Sequence, residues 1–397
     1  MSNRLVLALA VAVIAAAGAV TALLVFGGDD GGEDERFAVG RVVDPEECSR
    51  LADDEARTCY ARAFSGMVGA HRDPRPVVES IAEMAWSRGG YLLANCHGVM
   101  HTVGREYARR AGVSLANLMN YLPQTNDPGC PAGFAHGLVT AVGPEIDTSR
   151  PQEAAGVCAH AGTRYQRYSC THGMGHAFMR IYSDQLRPAL RLCSELGSQA
   201  APDCAQGAYH DYWFAVAGTD DAELPDGAVT DPRRLCGAQP AGFVRPCWYR
   251  AFVDNRPEGA PIESPEELDV LCADLDGLQR QACVTAGSVI GPPDPAEQLL
   301  ICAGLAETSD AVSCVRGTKV QNLLDYPTSA HLDLISRCAV FTGAPRAPCF
   351  RWLGKTLAVL TDGKFARAGC PRLSSERARQ LCRAGARSME EALVTFS

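Results

Sequence analysis

The spacing of the cysteines constrains the fold of this chain more than any other feature. Sixteen of the 18 cysteines form eight pairs whose members are 11 or 12 residues apart, and no Cys-x-x-Cys pair occurs. So many cysteines without a zinc-finger pattern indicate disulfides formed in an oxidising compartment. Each disulfide closes a loop of about 12 residues, which stabilises the fold by about 3 kcal/mol. The pairs are Cys48/Cys59, Cys158/Cys170, Cys193/Cys204, Cys236/Cys247, Cys272/Cys283, Cys302/Cys314, Cys338/Cys349 and Cys370/Cys382.

The pairs recur with a period that is typical of helical-hairpin repeats. Together with Cys96 and Cys130 they define ten units at steps of 31 to 43 residues. Segments such as 298–307, 329–341 and 375–393 have apolar residues at helical spacing, and Pro- and Gly-bearing breaks separate them. We therefore predict an all-α chain of about ten disulfide-stapled hairpins, an α-solenoid or α/α superhelix. In each unit the first cysteine should end the first helix and the second cysteine should open the second helix.

Two units depart from the cysteine rule. The positions 11 residues before Cys96 and Cys130 hold Ala85 and Met119, so neither cysteine has a partner in its own unit. A bond between Cys96 and Cys130 across adjacent hairpins is our first interpretation. A metal-binding thiolate and a redox-active thiol are the alternatives.

These two units begin a run of four in which the pattern Gly-x-x-His follows the cysteine. In the first and third units of the run, another histidine lies four residues before the histidine of this pattern. Residues four apart share one face of an α-helix, so each such pair can bind one ion. The glycine removes a side chain one turn from the histidine, which allows a neighbouring helix or a ligand to approach closely. The six candidate metal ligands are His97, His101, His136, His172, His176 and His210.

The histidines belong to two copies of one two-hairpin block, at 84–148 and 158–222. The three histidines of the first copy recur in the second at offsets of 75, 75 and 74 residues. Three histidines suit zinc with an open position for water, and they also suit copper or iron. If the copies converge, the ligand number matches the three-plus-three set of binuclear copper sites. The alternative is a structural role, in which the histidines form hydrogen bonds between helices.

The same register aligns two pairs of polar residues beside the histidines. Arg105 matches Arg180, and Tyr107 matches Tyr182. We treat these four as candidate catalytic residues that act on a substrate the sequence does not identify. Interhelical hydrogen bonding is the alternative role for them. Asp211, next to the last histidine, is a further candidate for contact with a substrate or a metal ligand.

The N-terminal segment predicts a membrane anchor. From Leu5 to Phe26 the chain has 22 residues without a charge, and about 20 apolar residues span a bilayer. A cleaved signal peptide, whose apolar run is usually about 7–15 residues, is the alternative. Arg4 before the segment and acidic residues after it place the rest of the chain outside the cytoplasm. We predict an anchor with a short cytoplasmic start at 1–27, a flexible linker at 28–46, histidine-bearing repeats at 47–222 and structural or partner-binding repeats at 223–397.

The net charge of −9 argues against nucleic acid as a partner, because phosphate binding requires a basic face.

Together, the cysteines, the histidines and the N-terminal segment predict a membrane-anchored, extracytoplasmic metal-binding protein. One hypothesis is a metalloenzyme, a hydrolase or oxidase that uses metal-bound water or oxygen chemistry. A second is a protein that buffers or delivers metal at the cell surface. A third is a scaffold whose C-terminal repeats bind a protein partner, with structural histidines.

Overall fold

The fold is all-helical, as predicted. The computed structural model describes residues 43–217, 224, 227–255, 262–324 and 327–389, which lie within the compact unit Val39–Ser397. Across these residues there is no β-strand, and short 3-10 turns join some of the α-helices. The helices are α1 (Pro45–Cys48), α2 (Asp53–Gly69), α3 (Arg75–Arg88), α4 (Gly90–Ala111), α5 (Cys130–Val142), α6 (Pro151–Ala159), α7 (Arg164–Ile181), α8 (Leu186–Ser194), α9 (Ala200–Val216), α10 (Pro232–Gly237), α11 (Ala241–Asp254), α12 (Pro265–Leu271), α13 (Gly277–Val289), α14 (Pro295–Gly304), α15 (Thr308–Arg316), α16 (Thr328–Ser336), α17 (Arg346–Leu360), α18 (Lys364–Ala368) and α19 (Glu376–Ala386).

Nine disulfides connect the helices and engage every cysteine of the chain. The eight pairs within units form as predicted. Cys96 bonds to Cys130 and joins α4 to α5, with 5.0 Å between their Cα atoms. This confirms the bond across adjacent hairpins, and a disulfide-bonded cysteine cannot supply the thiolate ligand of the first alternative.

Cys130 opens its helix α5 as predicted, but the second cysteine of every other unit lies inside its helix, which corrects our prediction. Cys170 follows the start of α7 at Arg164 by almost two turns. The helix begins early because Thr163 and Gln166 form a capping box, in which each side chain accepts a hydrogen bond from the other residue's backbone N–H.

The second helices of successive units contact one another in chain order. This series runs α2, α4, α5, α7, α9, α11, α13, α15, α17 and α19. The series bends back far enough for the side-chain amide of Asn126 to donate hydrogen bonds to the carbonyls of Val359 and Leu360 at 3.3 and 3.0 Å. The bend leaves a cavity that residues from α2 to the segment after α15 line together.

Two N-terminal predictions fall mainly outside the described residues. The predicted anchor at 1–27 lies wholly outside them, and the predicted linker overlaps them only at 43–46, where α1 already begins at Pro45. Among the helices described here, none is long and apolar enough to cross a membrane. The boundary proposed at 222–223 also lies outside the described residues, so the division of the repeats stays a prediction.

Candidate metal centre

The six predicted histidines lie together, and we call them the histidine cluster. They project from four consecutive second helices, with two histidines on α4, one on α5, two on α7 and one on α9. The ring centres of His101 and His176, which come from different copies of the block, are 4.8 Å apart. Those of His136 and His172 are 4.5 Å apart. The histidines of the two copies therefore form one cluster.

Glycines allow the helices that carry the cluster to pack at backbone contact. A Cβ atom on Gly133 of α5 would lie 2.0 Å from the carbonyl oxygen of His97 on α4. A Cβ atom on Gly207 of α9 would lie 2.0 Å from the carbonyl oxygen of His172 on α7. The same close approach thus occurs once in each copy of the block. Gly98 differs, since a Cβ atom there would meet nothing within 4 Å.

The ligand nitrogens of the first copy already have the separations of atoms around a common ion. His97 Nε2 is 3.1 Å from His101 Nε2, which is 3.2 Å from His136 Nδ1. Zn–N bonds of about 2.0–2.1 Å separate the ligands of a tetrahedral ion by roughly 3.3–3.4 Å and those of an octahedral ion by roughly 3.0 Å. The observed separations lie between these two values, so the nitrogens fit a metal ion.

Hydrogen bonds alone cannot account for both of these short distances between ring nitrogens. His97 Nδ1 lies 2.8 Å from the carbonyl oxygen of Pro128 and donates to it, which leaves Nε2 of a neutral ring with a lone pair. His101 Nε2 has at most one proton, so it cannot form linear hydrogen bonds to both neighbouring nitrogens. Ser169 Oγ, 3.1 Å from His136 Nε2, can accept a hydrogen bond from Nε2–H, which leaves Nδ1 of His136 with the lone pair.

The second copy leaves buried polar atoms without a protein partner. Within the described residues, His172 Nδ1, His176 Nε2 and Asp211 Oδ2 have no hydrogen-bond partner. A buried polar atom of this kind is costly unless a ligand satisfies it. His176 Nδ1 donates to Asp211 Oδ1 at 2.7 Å, so its Nε2 carries the lone pair. A carboxylate that orients a histidine in this way is typical of metal sites.

Burial favours the neutral, metal-binding form of five histidines of the cluster. Desolvation, reinforced by the charges of Arg250 and His176, lowers the pKa of His97 from 6.5 to about 4, despite the hydrogen bond to Pro128. Desolvation and repulsion between neighbouring imidazoles also hold the pKa well below 6.5 in four other members, which are His101, His136, His172 and His210. Metal ions bind the neutral form of imidazole, so these five histidines can bind a metal ion at neutral pH.

A buried ion pair borders the cluster, and sequence reasoning missed both of its members. Arg250 donates two hydrogen bonds of 2.6 Å to Asp254, whose Oδ1 lies 3.9 Å from His210 Nε2. Burial raises the pKa of Asp254 to about 7 against the opposing effect of Arg250. The repeat could have identified Asp254 from the sequence, because Asp254 follows Cys247 by seven residues, as Asp211 follows Cys204.

The structure separates the four candidate catalytic residues. Arg105 lines the cavity next to the cluster, and its guanidinium donates to Thr102 Oγ1 at 3.3 Å. Tyr107 is buried, and its hydroxyl donates to the carbonyl of Arg72 at 2.6 Å. Arg180 lies 3.6 Å from Asp184, at the end of α7, and Tyr182 follows that helix. The catalytic roles stay predictions, and Arg105 alone of the four lines the described cavity.

A cavity of about 1030 Å³ reaches the cluster through His97, His101 and His210. His136, His172 and His176 lie deeper and are at most 1% exposed. The cavity therefore meets two histidines of the first copy and one of the second, while the other three are enclosed. Comparisons of the chain with protein-family models, with curated proteins and with solved structures found no match.

Proposed function

We propose that this protein is an extracytoplasmic metalloenzyme with a centre of two transition-metal ions. One observation carries the proposal. Two groups of three histidines share His136, and within each group the ligand nitrogens lie within 4.8 Å of one another. The groups are His97, His101 and His136, and His136, His172 and His176. A buried, all-nitrogen ligand set of this kind suits zinc, copper or iron.

The duplication of the block supports an assignment of three histidines to each ion. The first copy would hold one ion, and the second copy, with His210, would hold the other. His136 lies between the two, since its ring is 4.5 Å from that of His172. A bound transition metal supplies Lewis acidity or one-electron redox chemistry at such a centre.

The unpartnered nitrogens argue against purely structural histidines. A structural histidine satisfies both ring nitrogens with hydrogen bonds between helices, whereas His172 Nδ1 and His176 Nε2 are buried without a partner among the described residues. The contacts between ring nitrogens in the first copy are also unsatisfied without an ion. Metal binding explains both features at once.

The cavity favours catalysis over metal buffering. An ion needs only a narrow passage, whereas a cavity of about 1030 Å³ has the size of sites that take small organic molecules. His97 and His101 face this space, so a substrate in the cavity could reach a bound ion.

The finer architecture and location belong to the same proposal. Successive contacts between second helices support a disulfide-stapled α-solenoid or superhelix. Nine disulfides support an oxidising, extracytoplasmic compartment, and the uncharged segment at 5–26 supports a single membrane anchor. The repeats at 223–397 would complete the scaffold, and any protein partner would bind there.

Metal analysis of the full-length protein tests the proposal. We expect about two zinc, copper or iron ions per chain in the wild type and a loss of at least one ion in His101→Ala and in His176→Ala. His160→Ala is the matched control, because His160 is exposed and bonds to the carbonyl of Gly156 on its own helix. A wild type without stoichiometric metal, or variants with unchanged metal content, would refute the centre.

The rate of metal exchange separates catalysis from buffering. A resident catalytic ion should persist for hours against a competing chelator, whereas a buffering or delivery site should exchange within seconds. Fast exchange at full occupancy would support the buffering hypothesis and contradict the enzyme.

A further inference from the structure

We propose that the cavity beside the histidine cluster binds an organic carboxylate with an extended apolar body. The carboxylate would lie between Arg105 and the metal centre, and the apolar body would lie against Trp86, Leu93 and Val253. This inference rests on the proposed function, since it assigns the substrate class of the same site.

The wall of the cavity exposes large apolar side chains. Trp86 is 44% exposed, Leu93 is 39% exposed and Val253 is 36% exposed, and all three line this one cavity. They come from α3, α4 and α11, so three separate helices contribute to the apolar surface. Exposed apolar side chains that gather around a concave surface mark a binding site for an apolar group.

The polar end of the cavity contains a guanidinium group. Arg105 follows His101 by four residues on α4, so the two side chains share one face of the helix. Both line the cavity, and Arg105 is partly exposed there. A guanidinium donates two parallel hydrogen bonds to a carboxylate, which makes Arg105 a suitable anchor beside the ligands of the first ion.

The charge of the metal ions would also favour an anionic ligand in the cavity. Three arginines and four aspartates line the cavity, so the protein alone is close to neutral there. Each aspartate is already engaged, by a backbone N–H for Asp127 and Asp294, by Arg250 for Asp254 and by His176 for Asp211. Three arginines against four aspartates leave one net negative charge, so bound dications would make the cavity positive on the side of the cluster and favour an anionic ligand.

Calorimetric titration of the zinc-loaded, full-length protein with octanoate, acetate and octanol tests the inference. Octanoate should bind at least about a hundredfold more tightly than acetate, because its chain buries further methylene groups. It should bind at least about tenfold more tightly than octanol, because octanol lacks the charge-assisted hydrogen bonds. Metal-free protein should bind octanoate at least about tenfold more weakly than zinc-loaded protein.

Matched variants locate the two ends of the ligand. Arg105→Gln should weaken octanoate binding about tenfold and leave octanol binding unchanged. Trp86→Ala should weaken the binding of both. Arg180→Gln is the control, because Arg180 occupies the position of Arg105 in the second copy but does not line the cavity. The same loss in Arg180→Gln as in Arg105→Gln would overturn the assignment.

Metal content measured in the same samples separates the two proposals. Full zinc occupancy with octanoate binding no tighter than that of acetate or octanol would overturn the ligand class and leave the metal centre standing. Equal octanoate binding by metal-free and zinc-loaded protein would also overturn it. A chain that retains neither zinc, copper nor iron would refute the metal centre itself.

Discussion

Replacing Gly133 by alanine should disrupt the first half of the metal centre. The new Cβ atom would lie 2.0 Å from the carbonyl oxygen of His97 and 2.8 Å from its carbonyl carbon. Both atoms belong to the backbone of α4, so no side-chain rotation relieves the contact. Helices α4 and α5 must separate by roughly 1 Å or more to restore van der Waals distance.

The separation acts directly on the ligands. His101 Nε2 and His136 Nδ1 are 3.2 Å apart across the same pair of helices, and roughly 1 Å of movement exceeds the tolerance of about 0.2 Å in metal–ligand distances. We expect metal binding to weaken at least about tenfold. Overpacking should lower the free energy of unfolding by about 1–3 kcal/mol, offset by about 1 kcal/mol from the higher helix propensity of alanine.

Gly98→Ala is the matched control, because its Cβ atom would meet nothing within 4 Å. This variant has the same gain in helix propensity on α4, so it should keep its metal and be more stable by up to about 1 kcal/mol. Thermal unfolding and metal titration of both variants provide the measurement. If Gly133→Ala bound metal as tightly as Gly98→Ala, the close helix contact would not be what positions the ligands.

Three further predictions concern the surroundings of the cluster. Asp211→Asn should weaken metal binding about 10- to 100-fold by removing the carboxylate that orients His176, and unchanged affinity in a chelator competition would contradict this role. In metal-free protein the lowered pKa of His97 means that the unfolded chain binds more protons between pH 6.5 and about 4. Stability is then fully present above pH 6.5 and falls by about 3 kcal/mol as the pH drops to about 4, so a chemical denaturation midpoint that stays constant over this window would be inconsistent with a neutral buried ring. Replacing Cys96 and Cys130 together by serine should cost about 2–5 kcal/mol of stability and reduce metal affinity, whereas serine at Cys302 and Cys314, which lie outside the cluster, should cost stability alone, as thermal unfolding with and without zinc would reveal.

Much of the fold could be predicted because the chain repeats. Nearly regular cysteine spacing indicates similar units, and similar units place corresponding positions of their second helices on the same side. The histidines could therefore be identified as one set before the structure was known. The bond between Cys96 and Cys130 was our first interpretation, because both cysteines lack a partner in their own units, and the structure confirms it.

Other features depend on packing that the spacing does not encode. The start of α7 at Arg164 depends on the capping box of Thr163, so the cysteine lies deeper in the helix than we predicted. Tyr107 aligns with Tyr182 in sequence, yet its hydroxyl contacts the carbonyl of Arg72 because α4 packs against the loop before α3. Alignment between repeats thus predicts position along a helix but not the contacts of each side chain.

Gly207 and Arg250 occupy the same position of the repeat but have different effects on the histidine cluster. Each follows its cysteine by three residues, Cys204 in α9 and Cys247 in α11. In α9 the missing side chain admits the backbone of α7 and brings His210 to the cluster. In α11 the arginine occupies the equivalent position and pairs with Asp254, which borders His210. The histidine cluster is therefore bordered differently at its two ends, by the Arg250–Asp254 pair beside His210 and by the open space at Gly98.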